Sequence, residues 1–111
     1  MKKINSKTIL PVGVSHNPEI KKRMLLESGD YPNIQSFGRA VFEAGQQTSP
    51  HVHPDMTEVF FILSGKGIFH SKEESISVEP DDCISISAGT VHWQENPYDT
   101  PMEMLYFGVK N

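Results

Sequence analysis

Glycine and proline recur so often in this chain, eight of each in 111 residues, that they cut it into short runs containing many Val, Ile, Phe and Ser. Branched and aromatic side chains suit extended backbone, whereas Gly and Pro favour turns. The pattern is one of many brief strands and predicts an all-β domain. Strands are expected near residues 24–27, 36–43, 49–53, 58–64, 67–71, 75–79, 83–87, 92–95 and 102–109. One segment competes with extended structure. Asn17-Pro18-Glu19 combines a cap residue, a proline at the first helical position and an early acid, so a short helix, of at most one turn, is possible there before a strand begins.

Alternate side chains of a strand face opposite ways, yet Val59-Phe60-Phe61-Ile62-Leu63 is apolar on both faces. One face suits a barrel interior. The other, carrying Val59, Phe61 and Leu63, needs a cover, and a homodimer is the expected one. The length allows one domain, residues 1–111, with a single core.

Ten Lys or Arg stand against fourteen Asp or Glu, a formal charge of −4, which disfavours a nucleic-acid partner. The only basic cluster, Lys21-Lys22-Arg23, reads as a solvated face. Cys83 is the only cysteine, so no intrachain disulfide forms. The N-terminal segment lacks the apolar core of a signal peptide, and no run approaches the roughly 20 apolar residues of a membrane span. A cytoplasmic protein with no membrane partner is expected.

Chemistry concentrates in the middle of the chain. His51 and His53 are one residue apart, so in extended backbone both rings face the same way and can meet one ion. Pro50 and Pro54 bracket them and favour that geometry. Glu58 adds an anionic oxygen, and His92 supplies a third imidazole from beyond the turn Ala88-Gly89-Thr90. Three imidazoles and a carboxylate suit a divalent transition metal: Fe, Mn, Ni, Co or Zn.

These residues also carry a resemblance. Gly45, five residues, His51-x-His53, four residues, Glu58, six residues and Gly65 reproduce the first motif of the cupin superfamily without a mismatch. The second motif appears over 81–96, where Gly89, His92 and Asn96 match while Asp81 replaces a glycine and Ser87 a proline. The chain thus resembles a small single-domain metal-binding cupin, with its motifs in 45–96. The resemblance implies a double-stranded β-helix, or jelly-roll barrel. It also implies a metal held inside by His51, His53, Glu58 and His92, with two adjacent positions left for water, dioxygen or a chelating substrate.

With Glu58 inward, Phe60 and Ile62 also point inward and would form an apolar wall of a substrate pocket. Arg39 shares a strand face with Phe37 and Val41. Inward, it could bind a substrate carboxylate bidentately; outward, it is solvated. Met102, Met104 and Tyr106 share one face of the last strand. His16 and His70 read as surface or turn residues, Trp93 points away from the metal, and Cys83 is expected to be buried and inert.

Two functions follow. The first is a metal-dependent enzyme, a dioxygenase or an isomerase/epimerase, acting on a small oxygen-rich metabolite. The second is a non-catalytic metal-containing module that binds or senses a small molecule. No general acid or base is identifiable from the sequence, so catalytic residues beyond the metal ligands are unassigned.

Overall fold

The two-residue periodicity of burial organises the molecule. Along the strand Ile34–Phe42, Gly38, Ala40 and Phe42 are buried while the intervening residues are partly exposed. The computed structural model describes residues 1–111. It contains a short 3₁₀ turn at Ser6–Thr8 and nine strands. These are β1 (Val12–Val14), β2 (Asn17–Leu26), β3 (Ile34–Phe42), β4 (Met56–Ser64), β5 (Gly67–Ser71), β6 (Ser75–Val78), β7 (Cys83–Ile86), β8 (His92–Glu95) and β9 (Met102–Lys110). The chain is all-β, as its punctuation predicts.

Every named pairing is antiparallel. A six-stranded sheet runs β1-β2-β3-β9-β4-β7, and a three-stranded sheet runs β6-β5-β8. Together they form the jelly-roll barrel. Their inner faces meet in a core of Ile20, Ala40, Phe42, Phe60, Ile62, Phe69, Val78, Met102 and Met104. Phe60 packs edge-to-face on Phe69, with ring centroids 5.1 Å apart, the arrangement that the ring quadrupoles favour.

Tight turns join the strands, and left-handed backbone marks them. Gly45, Gly65 and Gly89 have φ of 79°, 76° and 83°. Asp81, standing where the family pattern has glycine, adopts φ 75°. The turn therefore keeps the left-handed conformation, which Asp tolerates better than most residues.

One open possibility is closed and two expectations are corrected. Residues 17–19 form no helical turn. The Asn17 side chain does accept the Glu19 N–H at 3.0 Å, a cap-like bond, but pairing with β1 and β3 draws the segment into β2 and buries Ile20 completely. Residues 49–53 form no continuous strand, only the isolated bridge His51↔His92. Pro50 and Pro54 lack the N–H groups a ladder requires. Cys83 is exposed, because β7 turns it to the outer face opposite Phe61. That outer face also bears Phe61 and Leu63, 38% and 37% exposed.

Candidate metal centre

Two segments far apart in sequence are laced together at the site. His51 and His92 exchange both backbone bonds, at 3.0 and 2.9 Å, and the Gly89 N–H reaches the His53 carbonyl at 2.9 Å. Farther along, the Thr48 N–H donates to the Gln94 carbonyl, and Gly45 and Asn96 continue the lacing. Asn96 is fully buried. Its amide donates to the carbonyls of Phe42 and Thr100, and its oxygen accepts the Tyr98 N–H. This explains why the motif ends on an amide side chain: only a group with donors and an acceptor satisfies all three partners.

His51, His53, Glu58 and His92 converge, with one ligand atom from each lying within 4.8 Å of all the others. Glu58 Oε1 stands 2.9 Å from His92 Nε2 and 3.3 Å from His53 Nε2. Ligand atoms on bonds of about 2.1 Å stand about 3 to 4.2 Å apart around one ion, so this set fits a metal. The ring tautomers agree. His51 Nδ1 lies 2.7 Å from the Ser49 carbonyl and His92 Nδ1 lies 2.8 Å from that of Thr90. A carbonyl only accepts, so each Nδ1 carries a proton and each ring turns Nε2 toward the centre, where its neutral form presents a lone pair. His92 Nε2 is hydrogen-bonded to Glu58 Oε1, a place where a metal ion would replace the shared proton.

The electrostatics follow. Burial, with the neighbouring His92 and His16 adding to it, lowers the pKa of His51 to about 4, so its ring is neutral at physiological pH. Burial also acts to lower His92, but the hydrogen bond and charge of Glu58 and the Thr90 carbonyl outweigh it and raise that pKa. Burial, then the Glu58 charge, pushes Tyr106 up to about 12, so its hydroxyl keeps its proton.

A cavity of about 170 Å³ opens beside the four ligands. Phe42, Phe60, Met104 and Tyr106 form apolar wall, while Thr48, Gln94, Ser36 and Lys22 add polar groups. Phe60 lies where strand parity places it. Ile62 also points inward but is fully buried in the core and does not line the cavity. Arg39 takes the outward of its two orientations and does not line the cavity: it lies on the outer face of β3, paired with Glu103 and donating to Ser6 Oγ. Ala40 next to it takes the inward position, and alternation excludes both from one face.

His16 was not legible as a site residue, yet it stacks on His51 with ring centroids 3.7 Å apart and lines the cavity. Its backbone carbonyl accepts the N–H and hydroxyl of Ser49. Only the β1–β2 turn brings it there, and no local signal in the sequence announces that contact. His70 sits elsewhere, bonded to Ser75 and Glu95 and stacked on Trp93.

A family model of the cupin domain matches residues 38–108. The chain is a cupin. An uncharacterized protein of Methanocaldococcus jannaschii is 32% identical over 84 residues, covering 75% of this cupin and 67% of that protein. An oxalate-binding protein of Thermotoga maritima is 26% identical over 107 residues, covering 92% and 88% of the two chains. The crystal structure of a predicted oxalate decarboxylase from Thermotoga maritima superposes with a TM-score of 0.90, at 23% identity, over 99% of this cupin and all of that chain. That likeness establishes the double-stranded β-helix. No helix in this cupin is long and apolar enough to cross a membrane.

Proposed function

We propose that this cupin holds one divalent transition metal, Fe, Mn, Ni, Co or Zn, through His51, His53, Glu58 and His92. There it acts as a metal-dependent enzyme of dioxygenase or isomerase/epimerase type on a small oxygen-rich acid. The observation that carries the reading is the convergence of three imidazoles and one carboxylate, two of the rings locked by carbonyls with Nε2 inward. A metal bound there would supply Lewis-acid polarisation or, if redox-active, oxygen chemistry. The protein's part is to orient the ligands, to hold Tyr106 protonated beside the cavity and to shield the acid with Phe42, Phe60 and Met104.

A second reading, a binding or sensing module without turnover, is favoured by one observation. Apart from the ligand Glu58, no carboxylate lines the cavity to serve as a base. The oxalate-binding relative is consistent with either reading. The uncovered apolar face of Val59, Phe61 and Leu63 further supports a homodimer, and a monomeric mass by light scattering at micromolar concentration would remove that part.

The test is the metal content, by inductively coupled plasma mass spectrometry, of protein purified without added metal or a histidine tag. About one ion per chain is expected. No metal, even after incubation with each of the five ions, overturns the proposal. Product formation from small hydroxy and keto acids then selects the enzyme, and thermal stabilisation without substrate loss selects the binder.

A further inference from the structure

Glu58 is the only carboxylate among the side chains lining the cavity, and Lys22 the only lysine or arginine. Lys22 occupies an inward position of β2. It pairs with Ala40, which is 3% exposed, and alternates with the fully buried Ile20 and with Met24, whose sulfur accepts the Tyr106 hydroxyl. The rest of the basic run is spent elsewhere. Lys21 Nζ donates to the Pro18 carbonyl and Arg23 Nε to that of Ile9. Lys22, by contrast, is in none of the molecule's ion pairs, and Glu58 is engaged by His53 and His92. An inward strand position filled by an unpaired ammonium adds nothing to core packing, where an apolar residue would stabilise more.

A second group points the same way. The Thr48 hydroxyl accepts the Gln94 backbone N–H and donates to Gln94 Oε1, which fixes the amide. Gln94 lines the cavity, and its Nε2 is the one buried side-chain polar atom with no partner. The cavity thus presents an unmatched cation and an unused donor, and it lacks a free anion.

We infer that Lys22 is the specificity-determining residue of this cavity and recognises a second anionic group, carboxylate or phosphate, of a small acid whose other end faces the metal centre. The inference rests on the metal–acid reading above and deepens it. It predicts preference by charge at the end of the ligand remote from the metal.

Three probes share one α-hydroxy acid head and differ beyond it: lactate ends in a methyl, malate in a carboxylate and 3-phosphoglycerate in a phosphate. Titration calorimetry on metal-loaded protein, with metal content measured before and after, should show malate or 3-phosphoglycerate binding about tenfold or more tighter than lactate, as a charge-assisted hydrogen bond provides. The tighter of the two identifies the anion. In Lys22→Met the preference should vanish while lactate affinity and metal content persist, and Lys22→Arg should retain it; Lys22→Gln serves if the methionine variant does not fold. A preference that survives both neutral variants, or none in the wild type, overturns the role of Lys22 and leaves the metal–acid reading standing. Failure of the loaded wild type to bind any of the three overturns that reading itself.

Discussion

Replacing His51 with alanine separates the metal site from the fold. The His51 side chain is only half-buried, and the bridge to His92 uses backbone atoms that the substitution leaves in place. The metal-free variant should therefore melt close to the metal-free wild type. With metal the two diverge. A ligand present at a thousand times its Kd stabilises the native state by about 4.1 kcal/mol. For 111 residues, an unfolding entropy of about 2.1 cal/mol/K per residue converts this to a rise in Tm of about 18 °C. If losing one of four ligands weakens binding a hundredfold, the same metal concentration leaves about 1.4 kcal/mol, a rise of about 6 °C. Differential scanning calorimetry on chelator-treated protein, with each ion added back, reads both numbers. Equal rises in wild type and variant would refute the assignment of His51, and no rise with any ion would refute the site.

Further outcomes test the surroundings. Phe60→Ala removes a ring that is 5% exposed and packed on Phe69 and near Tyr106, and should cost about 3–5 kcal/mol in urea denaturation. Arg39→Ala breaks a partly exposed pair with Glu103 and a hydrogen bond to Ser6 Oγ, so stability should fall by about 1 kcal/mol and acid binding by calorimetry should not change. In metal-free protein, His51 has a folded pKa near 4 against 6.5 for the free side chain. The unfolded state binds the extra proton first, so this residue's share of stability is full above pH 6.5 and is lost as pH falls toward 4. Denaturation midpoints across that window should decline in the wild type and flatten in His51→Gln.

Strand parity carried a long way. Glu58, Phe60 and Ile62 share the inner face as alternation requires, and so do Met102, Met104 and Tyr106, because regular backbone transmits direction along a strand. It stopped where direction depends on which face is the interior. Arg39 and Lys22 illustrate this, since each lies in a run whose parity is plain but whose inward side is set by sheet order. Arg39 turned out and Lys22 turned in, against the reading of the basic run as a solvated face. His16 lay beyond reach for another reason. Its place against His51 comes from a hairpin packing on a distant loop, and no spacing within the chain encodes that contact.

The order of the large sheet bears on how the protein is made. β9 comes last in sequence yet is hydrogen-bonded between β3 and β4, so these earlier strands have no direct ladder to each other. A nascent chain that has emerged only as far as β8 carries all four metal ligands but two unpaired strand edges. Such edges are templates for pairing with other chains, and the long-range contacts that close them form slowly. The large sheet is therefore completed only when β9 enters the slot between β3 and β4, and until then their facing edges are open to pairing with other chains.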